Sequence, residues 1–517
     1  MTAIRSSTVA DVVARAARRT PDRVALRFAD RAWTYRELDE AVSRAAAVLL
    51  GQGLTKGDRV AAYGKNSDAY VLGFLACARA GLVHVPINYN LTGDELAYLL
   101  HQSGSRAVLV DPALAPKVAE LADGPELVLA LRDAPDSLLS ESATGPVPAI
   151  DVEIAETDLV QLLYTSGTTS RPKGAMMTHR ALVHEYVSCI LAMDCRADDE
   201  PLHPMPLYHS AGMHVMMLPY LAVGATNHVM ESPDVPEILR RVEADGISAL
   251  FLAPTVWVPL SHHPDFATRD LSSLRKAYYG ASIMPGPVLE RLQKALPGLG
   301  FYNLFGQSEI GPLATVLGPD EHAERPASCG RAVLFVELRV VDGEGNDVPP
   351  GELGEVVYRS PQLCEGYWDK PEETEEAFTG GWFHSGDLVR ADEQGYITVV
   401  DRIKDVINTG GVLVASREVE DALYTHPAVA EVAVIGAPDD RWIEAITAFV
   451  VLKGTVLKGT DLKGTVLEES GPTPEELIAH TRSRLAGFKV PKSVLLVDEL
   501  PRNASGKLLK RVLRDQL

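Results

Sequence analysis

Residues 164–174 combine hydroxyl, glycine and basic side chains in one short stretch, YTSGTTSRPKG. Hydroxyls and backbone amides in such a stretch can donate hydrogen bonds to phosphate oxygens, and Lys173 adds a mobile positive charge. Glycines at 167 and 174 permit backbone angles and close approaches that a side chain would block. The stretch therefore predicts an anion-binding loop, whose candidate ligands are Thr165, Ser166, Gly167, Thr168, Thr169 and Lys173.

Two other structures compete for this stretch. The P-loop of nucleotide triphosphatases needs a glycine, four residues and then Gly-Lys-Ser/Thr. Here Lys173 precedes Gly174 and Ala175 follows, so the P-loop pattern does not match. An ordinary turn rich in Ser and Thr remains an alternative for the stretch taken alone.

Two further glycine turns follow apolar segments that have the character of buried strands, AYYGAS at 277–282 and FYNLFGQSE at 301–309. In open parallel sheets ligands bind beyond the carboxyl ends of the strands, so both turns are expected to line one nucleotide crevice. Phe305 offers a flat face to adenine, and Glu309 is a hard oxygen ligand suited to Mg2+. The candidate nucleotide ligands are Gly280, Ala281, Ser282, Asn303, Phe305, Gly306, Gln307 and Ser308.

Three more polar residues invite a chemical or a purely structural interpretation. Asp387, flanked by glycine in what looks like a loop, can accept hydrogen bonds from both ribose hydroxyls or form an Asx turn. His209 precedes an apolar segment and is otherwise a solvated loop histidine. Lys507, when it is taken alone, is an ordinary surface lysine. The methionines at 205, 213, 216 and 217 can line a tunnel or fill the core.

The segments that position these residues alternate between helix-like and strand-like patterns along the chain. Helical spacing appears at Val9–Ala17, Tyr35–Leu50 and Ala69–Ala80, and strand character at Arg59–Tyr63 and Arg106–Val110. Such alternation predicts an α/β protein with mainly parallel sheets and helices on both faces. Hairpin strands are predicted within 337–359.

The chain of 517 residues is longer than one hydrophobic core usually organises, so at least two domains are expected. Asp401–Asp405 carries four charges in five residues, and Gly410-Gly411 follows, which is typical of a hinge. We therefore predict a large N-terminal domain at 1–400 and a small α+β C-terminal domain at 401–517. Three near-copies of Leu-Lys-Gly-Thr at 452–466 indicate a surface extension, because added loop length costs little entropy.

Composition narrows the class of protein. There are 49 Lys and Arg residues against 70 Asp and Glu, a net charge of −21, which argues against nucleic-acid binding through a basic face. No apolar run reaches the roughly 18 residues of a membrane span, and no signal-peptide core is present, so a cytoplasmic protein is expected. Five cysteines without a Cys-x-x-Cys pair favour reduced thiols.

Six of these motifs, in their order along the chain, resemble those of the adenylate-forming enzymes: acyl- and aryl-CoA ligases, firefly-type luciferases and the adenylation domains of peptide synthetases. The chain is most similar to a bacterial fatty-acyl-CoA synthetase. The resemblance implies that a carboxylic acid reacts with ATP to give acyl-AMP and pyrophosphate, and that CoA then takes the acyl group. It also implies Mg2+, a small β-barrel-like part in the N-terminal domain, and a mobile C-terminal domain that turns about Asp401.

The resemblance also implies roles for individual residues. The catalytic group would be Lys507, Glu309, His209 and Lys173, with His209 near the carboxylate pocket. Mg2+ would be held by Thr168 and Glu309. Asp387 would bind ribose, and the remaining contacts to nucleotide or CoA would come from Arg402, Lys404, Gly410, Gly411 and Lys507.

The chain departs from the family pattern after the glycine pair. Many relatives have Glu/Val-Asn-Val/Ile-Tyr-Pro there, whereas this chain has VLVAS at 412–416, which leaves the thiol acceptor open. The family's Tyr-Gly-x-Thr-Glu is Phe305-Gly-Gln-Ser-Glu309 here, and Ser170 replaces a frequent glycine. The acid itself, fatty, aryl or polycyclic, is also open.

Three other functions are weighed. A ligase that delivers acyl groups to a carrier protein would share every ATP motif. A peptide-synthetase module is disfavoured because only ten residues follow Lys507. A non-catalytic nucleotide sensor would often lose Lys507 or Glu309, and both are present.

Overall fold

The computed structural model describes residues 7–165, 171–280, 282, 284, 286–439, 441–453, 471–502 and 508–517. Within these residues no helix is long and apolar enough to cross a membrane. All five cysteines are buried and unpaired, as reduced thiols should be.

Strands and helices alternate along most of the described chain. The strands are β1 Val24–Phe28, β2 Arg31–Thr34, β3 Arg59–Tyr63, β4 Val83–Ile87, β5 Ser105–Val110, β6 Leu127–Ala130, β7 Leu159–Thr165, β8 Lys173–Thr178, β9 Pro201–His203, β10 Asn227–Val229, β11 Ala249–Phe251, β12 Lys276–Gly280, β13 Gly300–Phe305, β14 Thr315–Leu317, β15 Arg331–Ala332, β16 Glu337–Val341, β17 Leu353–Arg359, β18 Phe383–Ala391, β19 Ile397–Arg402, β20 Ile407–Thr409, β21 Val412–Val414, β22 Val429–Asp439, β23 Ile443–Leu452 and β24 Ser493–Leu496.

The α-helices are α1 Val9–Arg19, α2 Tyr35–Gly51, α3 Asp68–Ala80, α4 Gly93–Ser103, α5 Ala115–Ala119, α6 Leu138–Ala143, α7 His179–Ala192, α8 Leu218–Val223, α9 Val235–Asp245, α10 Pro254–His262, α11 Gly286–Ala295, α12 Pro371–Ala377, α13 Ser416–Tyr424, α14 Pro474–Arg482 and α15 Lys510–Arg514. A π-helix spans Ala211–Met217 and leads directly into α8.

Two large sheets confirm the predicted α/β class. A six-stranded sheet has the order β6-β5-β3-β4-β7-β8 and is parallel except for the β7–β8 pair. A nine-stranded sheet has the order β15-β14-β13-β12-β11-β9-β10-β1-β2, with parallel pairs from β13 to β1 and antiparallel strands at both edges.

The predicted elements of the first 150 residues are present with small shifts at their ends. Helix α1 extends past the predicted Ala17 to Arg19, and α2 begins at Tyr35 as predicted. Both helices start with a capping box, in which a threonine and an acidic residue three positions later satisfy backbone amides that the helix leaves unpaired. These helices, with α3, bury their apolar faces in one large core cluster.

A smaller sheet follows, with the antiparallel order β16-β17-β18-β19. It contains the hairpin strands predicted within 337–359. The part expected to be β-barrel-like is therefore an open sheet, because among the described residues its edge strands β16 and β19 do not pair with each other.

The C-terminal part forms a separate sheet with helices, the predicted α+β arrangement. Its strands run in the order β21-β20-β23-β22, with β24 beside β23, and its own core cluster includes residues of α13 and α14. Nearly all of the repeat at 452–466 lies outside the described residues.

Candidate functional site

The predicted phosphate loop connects two antiparallel strands. Thr165 ends β7 and pairs with Lys173, the first residue of β8. Strand β8 follows the loop directly, because Lys173–Thr178 pairs back onto β7. Thr178 then caps α7, since its side chain accepts a hydrogen bond from the amide of Ala181. The candidate ligands Ser166, Gly167, Thr168 and Thr169 lie outside the described residues.

Side chains beneath the hairpin hold its base. The hydroxyl of Tyr98 donates to the carbonyl of Pro172 at 3.0 Å. The hydroxyl of Tyr164 donates to Gln102, whose amide donates in turn to the carbonyl of Trp368 at 2.9 Å. The Tyr164 hydroxyl is therefore part of this support.

The two glycine turns lie side by side, as predicted. Strands β12 and β13 are parallel neighbours, with Gly280 opposite Leu304, so their carboxyl ends meet at one edge of the sheet. Gly306 has a φ of 154°, and a Cβ atom there would lie 2.0 Å from the carbonyl oxygen of Pro312. Only glycine fits this close approach. Ala281 lies outside the described residues, and Ser282 is exposed.

The polar side chains after β13 have different surroundings. Asn303 donates from Nδ2 to the carbonyl of Ser328 at 2.9 Å, and Phe305 is half-buried against apolar residues. Ser308 shares a hydrogen bond of 2.9 Å with the hydroxyl of Ser210. The Nε2 atom of Gln307 is buried and has no acceptor among the described residues. A buried donor without a partner is costly, so this atom fits a bound ligand that carries acceptors, such as a nucleotide.

The side chains of Glu309 and Lys173 both contact Tyr367. Glu309 is only 7% exposed, and its Oε1 accepts a hydrogen bond from the Tyr367 hydroxyl at 3.0 Å. The ammonium of Lys173 lies 4.6 Å from the centre of the Tyr367 ring. Burial and the neighbouring Glu309 carboxylate raise the pKa of Tyr367 well above its usual value, so the phenol remains a donor. Sequence analysis gave Tyr367 no role.

The described residues contain no cluster of three or more side chains arranged to hold a metal ion. Mg2+ usually binds through one or two carboxylates together with substrate phosphates and waters. A single buried carboxylate such as Glu309 fits that pattern. The second predicted ligand, Thr168, lies outside the described residues.

Asp387 lies in strand β18, whereas we predicted a loop. Gly386 lies within β18 with a φ of 70°, and Asp387 pairs with Arg402 of β19 in the sheet register. Its carboxylate is 4% exposed and lies 2.6 Å from Nε of Arg402. The structure therefore brings together two of the predicted nucleotide ligands.

His209 is exposed in the loop before the π-helix, and its Nδ1 accepts a hydrogen bond from the amide of Ala211 at 3.3 Å. The hydrogen bond between Ser210 and Ser308 places this loop beside the glycine turn at 306. The π-helix was not predicted, and such helices occur frequently at functional sites. The three methionines within it belong to two different core clusters, which favours core packing over a tunnel lining: Met213, Met216 and Met217.

The predicted hinge region contains a tight hairpin. Gly410 and Gly411 form the two-residue turn between β20 and β21, with φ angles of 64° and 85° that favour glycine. Lys404 is exposed in the short turn that follows β19. Lys507 lies outside the described residues.

Asp401 makes the contact by which this region holds helix α13. Its Oδ2 accepts hydrogen bonds from the amide and the hydroxyl of Ser416, at 2.6 and 2.8 Å. The carboxylate thus satisfies an amide that the helix itself leaves unpaired. Strand β19 runs to Arg402, two residues past the boundary predicted at 400.

A buried carboxyl group supports the segment after Glu309. Glu185 accepts hydrogen bonds from the amide of Leu313 at 3.0 Å and from Nε2 of Gln362 at 2.5 Å. Gln362 also donates to the carbonyl of Leu313 at 3.1 Å. Burial raises the pKa of Glu185 to about 8. Sequence analysis missed this group, because an isolated glutamate within a helix carries no signal of burial.

Comparison with known proteins places the chain in a family. Residues 13–368 match the model of the AMP-binding enzymes, and residues 418–507 match the model of the AMP-binding enzyme C-terminal domain. A feruloyl-CoA synthase from Amycolatopsis sp is 38% identical over 97% of this chain and 97% of its own length. A fatty acid–[acyl-carrier-protein] ligase, ScoC, from Streptomyces coeruleorubidus is 34% identical over 94% of this chain and 92% of its own.

A solved structure supports the same placement. The o-succinylbenzoate CoA synthetase of Bacillus subtilis, in complex with its acyl-adenylate intermediate, superimposes with a TM-score of 0.86 at 28% identity and covers 98% of each chain. The family models span the glycine turns at 280 and 306 and part of the C-terminal sheet, and the likeness extends over nearly the whole chain. The chain therefore belongs to the AMP-binding enzymes, the adenylate-forming superfamily.

Proposed function

We propose that this protein is an AMP-forming ligase that joins a carboxylic acid to the thiol of CoA at the expense of ATP. The observation that carries the proposal is that Glu309 and Lys173 both contact Tyr367, beside the glycine turns at 280 and 306. A buried carboxylate after parallel strand β13 and an ammonium at the start of β8 fit a magnesium nucleotide. Membership of the adenylate-forming superfamily supports the same chemistry.

In the first half-reaction an oxygen of the substrate carboxylate attacks the α-phosphorus of ATP. A bond forms between that oxygen and phosphorus, the bond to the bridging oxygen of the β-phosphate breaks, and pyrophosphate leaves. Lys173 and the loop from Thr165 would bind the leaving phosphates, and Lys507 would stabilise the charge that develops at the reacting groups. Mg2+, held by Glu309 and Thr168, would neutralise phosphate charge.

The remaining nucleotide contacts follow from the crevice. The unpaired donor of Gln307 and the half-buried ring of Phe305 suit the base and its neighbouring groups, with Asn303 at the edge of adenine. Asp387, with Arg402 beside it, would bind the ribose. His209 would lie on the acid's side of the site.

In the second half-reaction the CoA thiol attacks the acyl carbon, a thioester forms, and AMP leaves with the electron pair of the acyl–oxygen bond.

We propose that the parts at 1–400 and 401–517 act as two domains, and that the C-terminal one turns about Asp401 between the half-reactions. That turn would withdraw Lys507 and bring Gly410 and Gly411 to the thiol.

A panel of fatty, aryl and polycyclic acids tests the proposal by ATP–pyrophosphate exchange, followed by CoA addition. We expect acid-dependent exchange with at least one class of acid, and a thioester once CoA is present. Absence of exchange with every acid, in a protein that still binds ATP, would contradict it.

A carrier-protein thiol is the second candidate acceptor. The likeness to ScoC favours it, as does the sequence at 412–416, where the family's Tyr-Pro is replaced. Val412 and Leu413 are exposed on the hairpin after the glycine turn, where the acceptor is expected to arrive. Exchange without thioester on adding CoA, and acylation of a phosphopantetheinylated carrier protein, would move the acceptor to this class.

A further inference from the structure

Tyr367 contacts both charged side chains that the proposed function assigns to the pyrophosphate end of ATP. Its hydroxyl donates to Oε1 of Glu309 at 3.0 Å, and its ring centre lies 4.6 Å from the ammonium of Lys173. The side chain is buried, with 7% of its surface exposed. One side chain therefore contacts a residue at the start of β8 and a residue in the turn after β13, and these two residues lie far apart in the sequence.

The segment that carries Tyr367 is fixed on both sides by its backbone. The amide of Trp368 donates to the carbonyl of Gly174 in β8 at 2.8 Å. The amide of Cys364 donates to the carbonyl of Glu309 at 2.8 Å. Residues 364–368 thus connect the phosphate hairpin with the turn that carries Glu309, and the position of Tyr367 between them is determined by main-chain bonds.

We propose that Tyr367 is a positioning residue for the adenylation half-reaction. Its hydroxyl restricts the Glu309 carboxylate to one orientation, and its ring stabilises the ammonium of Lys173 through a cation–π contact. This inference rests on the function proposed above, because the roles of Glu309 and Lys173 belong to that proposal. Tyr367 acts through these two groups and is assigned no contact with substrate.

Removal of the hydroxyl alone tests the first contact. Tyr367→Phe keeps the ring that faces Lys173 and leaves Oε1 of Glu309 without this donor. A hydrogen bond to a charged group is typically worth enough to change binding about tenfold or more, so we expect the Mg2+ concentration for half-maximal exchange to rise about tenfold. Saturating Mg2+ should restore most of the rate, and the KM for the acid should not change.

Tyr396→Phe is a matched control. The Tyr396 hydroxyl also donates to a glutamate, Glu321. Its ring also faces a cation, the guanidinium of Arg325, which lies 4.1 Å from the ring centre. These groups lie at the β18–β19 end of the small sheet and have no place in the proposed chemistry. This variant should show the Mg2+ dependence of the unchanged protein.

Binding of Mn2+ in the presence of ATP, followed by the EPR signal of the free ion, gives a readout that does not require turnover. Tyr367→Phe should weaken Mn2+ binding about tenfold. In a Glu309→Gln background the same change should have no further effect, because the hydroxyl acts through that carboxylate. Equal effects in both backgrounds would show a merely structural role and overturn the proposal.

A second variant guards against loss of folding. If Tyr367→Phe does not fold, Tyr367→Met also removes the hydroxyl while keeping a flexible apolar side chain, and a rise in Mg2+ requirement of at least the same size is expected, because the ring that faces Lys173 is lost as well. An unchanged Mg2+ or Mn2+ dependence in a folded variant overturns the proposal. If the unchanged protein exchanges no pyrophosphate, the proposed function fails, and the Mn2+ measurements with ATP still decide the role of Tyr367.

Discussion

Single residues in the site combine burial with charge, and the consequences can be measured. Glu185 is wholly buried with a pKa raised to about 8, against 4.5 for an ordinary glutamate. Between those two pH values the folded protein holds a proton that the unfolded chain has released. Stability must therefore fall as the pH rises from about 4.5 to about 8.

Glu185→Gln removes this titration. We expect the free energy of unfolding of the unchanged protein to decline relative to the variant by up to about 1.4 kcal/mol per pH unit in that window. Urea unfolding at pH 5, 6, 7 and 8 measures the difference. Parallel curves for the two proteins would mean that Glu185 ionises normally.

Asp387→Asn tests the proposed ribose contact. The change removes the negative charge that faces Arg402, and we expect the KM for ATP to rise about tenfold or more while the KM for the acid stays within about twofold. Asp392→Asn is the control, because Asp392 pairs with Arg325 at 3.0 Å and has no place in the proposed site. Equal effects of both changes on ATP would remove Asp387 from the nucleotide site.

At the scale of elements, the sequence predicted strands and helices better than their connections. Periodicity located α2 from Tyr35 and β3 at Arg59–Tyr63, because the spacing of apolar residues is a local signal. Strand β8 was missed, since Lys173–Thr178 is short and follows a loop rich in Ser and Thr. The π-helix was missed because its apolar residues also suit an ordinary buried helix.

Contacts between distant segments account for the other differences. Asp387 lies in a strand because β19 supplies its hydrogen-bonding partner, and sequence spacing does not show which segments will pair. The roles inferred for Tyr367 and Glu185 depend on contacts with residues far along the chain. The glycine turns at 280 and 306 were located correctly because adjacent parallel strands bring their ends together.

Helix α13 depends on Asp401 for a cap. Asp401→Ala removes hydrogen bonds to the amide and hydroxyl of Ser416, and we expect a loss of about 1–2 kcal/mol in the free energy of unfolding. Asp421→Ala in the same helix removes only an exposed ion pair with Arg417 and should cost less than about 0.5 kcal/mol. Equal losses in urea unfolding would contradict the capping role.

For the whole molecule, the order of motifs along the chain was more informative than any single motif. A loop rich in Ser and Thr, a lone Phe-Gly-x-Ser-Glu or an isolated lysine has a bland explanation when taken alone. Together they predicted the family, which the comparisons confirm over nearly the full chain. The acid pocket is shaped by side-chain packing, which no motif reports.

The most direct test of the account separates its two half-reactions in Lys507→Ala. Without this cation, ATP–pyrophosphate exchange should fall about a hundredfold or more, while thioester formation from supplied acyl-AMP and CoA should stay within a few-fold of the unchanged protein. Arg511→Ala, which removes an exposed cation four residues later in the sequence, should affect neither. Undiminished exchange in Lys507→Ala would contradict the account.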